Sequence, residues 1–420
     1  MGIFSGKIVS NSLWMMLEKF VSIFGLIFVN SYMAKYIGPE NFGKLSFATS
    51  IFIFVQTFSW FGAQNILFKR LSENVKSGLR LALATQIMRQ FFYVVASTIA
   101  LIYLWISTDT LTLLFGIGNC LASYFIVSDI YSIHNNSQLI SIVNALTNIF
   151  GLIASLILRF VLVFYEADAY TMIFPIIVLA FFPYLLRKFY FHKKNNLVNA
   201  ISNKKKYSKY LFLTGGSLLL STLSIVLYTQ ISNLFLAKYT SFSELAIYNV
   251  AFTLGGAWGF INAALITSYF SKIYATQDVV QEFIYLKQIH LIVVTISVVV
   301  CIGVFVLGEW VVQQLYGIAY LDSAKNLPYI VVGTMLSALG TISYRYILKF
   351  NGYKYLSIKM FLVSIFSIPL SYFCIKYYGV LGASFCFILV EFFSLTIANY
   401  FFKNGFILKN HLRIFSLRKN

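Results

Sequence analysis

Residues 187–209, RKFYFHKKNNLVNAISNKKKYSK, form a block of positive charge near the middle of the 420-residue chain. Eight of these residues are Lys or Arg, and no Asp or Glu occurs between Asp168 and Glu244. A block of like charge cannot bury itself, so it is solvated or touches anionic groups. The sequence on both sides is overwhelmingly apolar, and Lys and Arg between apolar spans are typical of cytoplasmic loops. The block therefore predicts a cytoplasmic hinge loop between two membrane-embedded halves.

The overall composition indicates a membrane protein. Hydrophobic residues make up 59% of the sequence and charged residues 11%, and the mean hydropathy is +0.80. Soluble domains average about 45–50% apolar and about 25% charged residues. The net charge of +19 would suggest nucleic-acid binding in a soluble protein. Here the basic residues collect in loops beside apolar spans, which the positive-inside bias explains, so no nucleic-acid partner is expected.

The sequence shows no pattern of catalytic or metal-binding residues. Its four cysteines are isolated within apolar runs, without a second Cys or a His at ligand spacing. No histidine stands beside an acid in a way that builds a nucleophile–base unit. Walker loops, nucleophile elbows and paired carboxylates are also missing from the sequence. We therefore expect no enzyme, no cofactor and no metal site.

Apolar segments long enough to cross a bilayer recur along the chain. A spanning helix needs about 20 apolar residues. Twelve segments meet this length: 8–34, 45–68, 81–105, 110–131, 139–164, 169–188, 210–237, 246–270, 285–307, 327–349, 355–377 and 379–402. Basic residues favour the even-numbered loops and the tail, which predicts that both termini are cytoplasmic.

The predicted fold class is an all-α polytopic membrane protein with about twelve transmembrane helices in two six-helix bundles. Six spans on each side of a cytoplasmic hinge give two halves of the same orientation, as in several transporter folds. The predicted division is an N-terminal bundle (1–190), a basic hinge loop (191–209), a C-terminal bundle (210–402) and a basic cytoplasmic tail (403–420).

Several charged residues are predicted to lie inside the bilayer. A charge at the bilayer centre costs roughly 2.5–3.5 kcal/mol on insertion scales, so it usually faces a cavity or a partner. Three cations lie deep in the first half, and a hydrated cationic cavity favours an anionic solute such as a phosphate or an acidic sugar. The predicted cavity-lining residues are Arg89, Arg159, Lys19, Asn148, Gln86 and Arg345.

Each candidate also has a structural interpretation. Arg345 and Lys359 lie near the cytoplasmic ends of their spans, where long basic side chains snorkel to the interface. Arg159 is open to the same interpretation at the outer interface, although it ends a polar stripe that continues inward along one helix face: Asn144, Asn148, Gly151, Ser155 and Arg159. Glu18 and Glu391 are candidates for ion coupling, by H+ or Na+, but either carboxylate can instead pair with a basic neighbour.

Several motifs resemble those of the O-antigen (Wzx-type) polysaccharide flippases, in the multidrug/oligosaccharidyl-lipid/polysaccharide exporter superfamily. A Gly-Pro-Glu-x-aromatic-Gly turn, common in that family, occurs between the first two spans. Asn233 stands where Asp is frequent in the family, and Ala246 where Gly is frequent. The matching stretches are AKYIGPENFGKLSFA (34–48), SNLFLAKYTSFSELAIYNVAFTL (232–254), LYG (315–317), NGYKYLSIKM (351–360) and YYGVLGASFCFILVEF (377–392).

The resemblance implies a MATE-like fold in the bacterial inner membrane. It implies transport of an undecaprenyl-pyrophosphate-linked oligosaccharide, for O-antigen, capsule or exopolysaccharide, to the outer leaflet. The bilayer and the lipid-linked sugar would be partners, with a polysaccharide polymerase and a chain-length regulator as further ones. Two alternatives stay open: an ion-coupled multidrug or small-molecule exporter of the same superfamily, and a membrane scaffold or enzyme subunit that transports nothing.

Overall fold

In the first part of the chain, eight helices follow one another with short connections. The computed structural model describes residues 6–194 and 204–415, and these residues form helices without strands. The eight helices are α1 (Gly6–Trp60), α2 (Ala63–Glu73), α3 (Val75–Ala84), α4 (Gln86–Ser107), α5 (Thr110–Ser128), α6 (Ile130–Ser137), α7 (Ser141–Phe164) and α8 (Ile173–Lys194).

The second part of the described chain contains eight further helices. They are α9 (Lys204–Tyr239), α10 (Phe242–Gly256), α11 (Gly259–Ala275), α12 (Val279–Tyr316), α13 (Asp322–Lys349), α14 (Tyr353–Leu395), α15 (Ile397–Tyr400) and α16 (Phe406–Phe415). Residue contacts divide the chain into two compact units between Val226 and Leu227, inside α9. The central part of the predicted hinge loop, 195–203, lies outside the described residues.

Ten helical segments within the described residues are long and apolar enough to cross a membrane. The two longest, Lys19–Trp60 and Tyr353–Tyr400, have 42 and 48 residues. At about 1.5 Å per residue each is about twice the length that the ~30 Å hydrocarbon core requires. Each of these two segments overlaps two of the predicted spans, and each of the other eight overlaps one.

A glycine interrupts each of the two longest segments. Gly38 has φ 78° and Gly379 has φ 54°. Positive φ is costly for residues with a Cβ atom but accessible to glycine, so the chain turns at these positions. Pro39 follows Gly38, where its fixed φ suits the first turn of a helix. Each long segment thus consists of two helical arms that meet at a glycine.

The C-terminal helix α16 packs against the core of the second unit. Ile407 of α16 is buried in a hydrophobic cluster with Leu286 of α12 and Ile342 of α13. His411 of α16 lies 3.2 Å from the hydroxyl of Ser343 through Nε2 and 3.2 Å from that of Tyr400 through Nδ1. The sequence predicted only a basic tail in this region.

The docking of α16 is expected to weaken on acidification. Burial, together with the neighbouring His290, lowers the pKa of His411 from 6.5 to about 4. The undocked state then binds more protons than the docked state in this range. The contribution of neutral His411 to the stability of the docked helix is fully present above pH 6.5 and is lost as the pH falls towards 4. Hydrogen exchange of residues 406–415, corrected for intrinsic rates, should therefore quicken over this range.

His411→Gln is the control for this prediction, because the amide keeps hydrogen-bonding capacity but does not titrate. The variant should show a flatter pH dependence of exchange in α16. Equal pH dependence in both proteins would rule out His411 as the titrating group.

Candidate functional site

Arg89, the first cavity candidate, is held by neutral groups of three other helices. Its side chain is 2% exposed. It donates hydrogen bonds of 3.2 Å to the backbone oxygens of Val127 and Ala82, and its Cζ lies 4.9 Å from the ring centroid of Trp60. These contacts join α4 to α5, α3 and the end of α1. Arg89 thus has a structural role in the first unit, and its role towards a substrate stays a prediction.

Arg159, on α7, is as deeply buried as Arg89 but has fewer partners. It is 2% exposed, and its Nε and Nη1 atoms have no hydrogen-bond partner among the described residues. Ser155, one turn earlier on the predicted polar stripe, donates to the backbone oxygen of Pro175 at 2.8 Å. A buried guanidinium with free N–H groups is costly unless an anion completes its contacts.

Asn148, another cavity candidate, contacts a buried ion pair. Arg187 of α8 is 6% exposed and forms a salt bridge with Asp129, which stands between α5 and α6. The same guanidinium donates to the side-chain oxygen of Asn148 and, at 3.0 Å, to the hydroxyl of Thr147. Arg187, the first residue of the basic block, therefore contacts an anionic group, which is one of the two outcomes expected of the block.

Asp129 also organises the short helix α6. Its carboxylate accepts from the backbone N–H of Ser132 at 3.1 Å, which caps the helix. The side-chain amide of Asn144 on α7 donates to the backbone oxygen of Ser132 at 2.9 Å and to the side chain of Asn136 at 2.8 Å. At the Asn144 end of the polar stripe on α7, the side-chain amide is thus hydrogen-bonded to other protein groups. At the other end, Arg159 has nitrogen atoms without such partners.

The remaining cavity candidates occupy varied positions. Lys19 is exposed, and Gln86 is half-buried in the first turn of α4. Arg345 is half-buried and donates to the hydroxyl of Thr267 at 3.0 Å. The side chain of Glu18 lies outside the described residues. The role of these candidates as cavity residues stays a prediction.

The second unit contains a buried carboxylate and a buried amine. Glu391 and Lys359 are 5% and 4% exposed, so the expectation that Lys359 snorkels is corrected. They lie on the two arms of α14, which contact each other where Val363 and Val390 pack in one hydrophobic cluster. The sequence placed Lys359 near a span end, but it could not show that the second arm of α14 supplies an acid.

These observations define a multi-pass membrane protein with a transporter-like fold. A lipid II flippase MurJ in an inward closed conformation has a TM-score of 0.70 to this chain at 17% identity, covering 97% of this chain and 90% of the other. An inward-facing multidrug resistance MATE transporter of the MOP superfamily has a TM-score of 0.66 at 13% identity, covering 97% and 98%. These likenesses show the fold.

A family model described as polysaccharide biosynthesis protein matches residues 8–270. This is more than half of the chain, so the protein belongs to that family. No curated protein matches the sequence. The family match, together with the fold, confirms the family resemblance drawn from the sequence.

The Asp129–Arg187 ion pair is expected to support the stability of the first unit. Arg187→Met would leave the Asp129 carboxylate buried without a cation, at a cost of about 3–5 kcal/mol. The double variant Asp129→Asn with Arg187→Met removes both charges and should recover much of that loss. Thermal unfolding in detergent measures both effects.

Lys188→Met is the matched control, because Lys188 is adjacent in sequence but exposed. It should leave the unfolding temperature close to that of the wild type. A double variant no more stable than Arg187→Met would argue against the pairing.

Proposed function

We propose that this protein is a flippase for undecaprenyl-pyrophosphate-linked oligosaccharide repeat units. It moves O-antigen, capsule or exopolysaccharide units from the inner to the outer leaflet of the bacterial inner membrane. Membership of the polysaccharide biosynthesis protein family supports the sugar class. The fold shared with a lipid II flippase supports the type of transport.

Arg159 is the observation that carries this proposal. Its guanidinium is buried in α7 with two unsatisfied nitrogen atoms, and none of the ion pairs among the described residues includes it. A diphosphate presents planar sets of acceptor oxygens that match a guanidinium, and it supplies the missing negative charge. Arg159 therefore becomes the leading candidate for contact with the diphosphate, ahead of Arg89, whose two terminal nitrogens already bind carbonyl oxygens.

The proposed topology has twelve crossings with both termini in the cytoplasm. The glycine breaks at Gly38 and Gly379 support the count, since each long segment supplies two arms. Transport would proceed by alternating access of the two six-helix halves, as in other repeat-based transporters. Glu391 is the proposed ion-coupling residue of the second half, because it is a deeply buried carboxylate.

A multidrug exporter of cationic compounds is less well supported. Such a substrate requires acidic groups in its binding cavity. The buried acid of the first unit, Asp129, is already bound to Arg187, while Arg159 lacks a partner for two nitrogens. The charge available in that unit therefore suits an anionic substrate.

Transport in reconstituted vesicles tests the role of Arg159. Lipid-linked oligosaccharide placed in the inner leaflet is followed by its exposure to an added glycosidase. Arg159→Ala should slow exposure about 10–100-fold, because a charge-assisted hydrogen bond contributes about 1.5–3 kcal/mol. Arg159→Lys keeps the charge and should retain part of the rate.

Arg80→Ala is the matched control, because Arg80 is an exposed arginine on α3. Its rate should equal that of the wild type. Unchanged transport by a correctly folded Arg159→Ala variant would overturn the role of Arg159. Deletion of the protein in cells tests the proposed substrate. A deletion strain with altered drug tolerance and intact surface polysaccharide would overturn the assignment of this substrate.

A further inference from the structure

One face of the C-terminal helix α16 packs against the second unit. Ile407, His411 and Ile414 follow one another at intervals of four and three residues, which places them on one side of the helix. Ile407 and Ile414 are 1% and 2% exposed. At the start of the helix, the ring of Phe406 stacks on that of Tyr346 of α13, with the centroids 5.6 Å apart. This face is therefore occupied by contacts within the protein.

The opposite face of α16 is exposed and combines positive charge with apolar surface. Lys409, Leu412 and Arg413 stand three and four residues apart along the helix, so they share one side. All three are exposed, and Leu412 is 64% exposed. The Cζ atom of Arg413 lies 5.0 Å from the ring centroid of Phe283, which keeps this cation beside α12. Such a face is typical of a helix at a membrane surface, with apolar groups among the acyl chains and cations at the headgroups.

The contacts of α16 also fix its depth in the membrane. The stretch of α12 between Lys287 and Glu309 carries no charge and has the length of about 20 residues that one span needs. Lys287 therefore marks the point where α12 leaves the hydrocarbon. Its neighbour Leu286 packs in one cluster with Ile407 of α16. Helix α16 thus lies at the level of the lipid headgroups.

The positive charge at this level exceeds the negative charge of the protein. The described stretches 279–290, 340–360 and 396–415 contain one acid, Glu282, and its carboxylate lies 2.6 Å from the ammonium of Lys349. The other charged residues of these stretches are all Lys or Arg. An anionic leaflet surface attracts basic segments of this kind. In the proposed topology, with a cytoplasmic C-terminus, α16 faces the inner leaflet.

We propose that the outward face of α16 binds the headgroups of anionic phospholipids. The side chains of Lys409 and Arg413 contact the phosphate groups, and Leu412 lies among the acyl chains. The bound lipid holds α16 against α12 and α13, so the docking of this helix depends on the lipid composition of the membrane. A zwitterionic headgroup has no net charge and attracts the two cations less. The proposal does not depend on the transported substrate.

Hydrogen exchange of residues 406–415 tests this surface at neutral pH, where His411 is uncharged. The protein is reconstituted in vesicles of phosphatidylcholine, either alone or mixed with phosphatidylglycerol. The anionic lipid should slow exchange in α16 about 5–30-fold, the effect expected of one or two basic residues near an anionic surface. The double variant Lys409→Gln with Arg413→Gln lacks both cations and should exchange equally in the two membranes.

Two matched variants separate this surface from the general positive charge of the chain. Lys205→Gln with Lys206→Gln removes the same charge from exposed residues at the start of α9 and should leave the lipid effect on α16 intact. Lys409→Arg with Arg413→Lys keeps both cations and should also retain the effect. Each variant is compared with itself in the two membranes, so a change in the intrinsic stability of α16 docking does not alter the outcome.

Three results would overturn the proposal. The first is equal exchange of wild-type α16 in the two membranes. The second is an undiminished lipid effect in Lys409→Gln with Arg413→Gln. The third is equal slowing by soluble glycerol 3-phosphate, which has no acyl chains to contact Leu412 and would assign the site to a free phosphate. None of these measurements uses a sugar substrate, so failure here is distinguishable from failure of the vesicle assay with Arg159 variants.

Discussion

The interior of a bilayer contains no water, so a charged side chain placed there depends on the protein for hydrogen bonds and opposite charge. The described residues show three degrees of compensation. Arg187 is fully matched, by the Asp129 carboxylate and by neutral side chains of α7. Arg89 is matched by carbonyl oxygens and an aromatic ring, without an anion. Arg159 is the least compensated of the three, with two nitrogen atoms unsatisfied.

This gradation separates charges that hold the protein together from those available to a ligand. A satisfied ion pair rigidifies its surroundings but has little left to offer a substrate. An arginine that the protein fails to satisfy retains most of its binding capacity. In the first unit the least compensated of these groups is a cation, whereas the second unit holds both a buried carboxylate, Glu391, and a buried amine, Lys359.

Much of the helical architecture was predictable from the sequence, because hydrogen bonds of a membrane helix are local and its length is set by the bilayer. The glycine turns lie in two of the stretches on which the family resemblance rests, 34–48 and 377–392. The partners of buried charges were not predictable, since Asp129 and Arg187 are 58 positions apart and only packing reveals their pairing. For the same reason the sequence predicted that Lys359 reaches the membrane interface. The docking of α16 depends on side-chain contacts with α12, α13 and α15, which a basic composition does not indicate.

The turn at Gly38 has a consequence for how the chain enters the membrane during synthesis. In the proposed topology, with a cytoplasmic N-terminus, the two arms of α1 are joined by a short turn, so only a short polar tip has to be carried through the hydrocarbon. After the turn, Lys44 pairs with Glu40 within the tip, at 2.9 Å. A pair of arms built in this way can leave the translocon as one helical hairpin, with its topology decided by the basic residues on the side of the membrane where synthesis takes place.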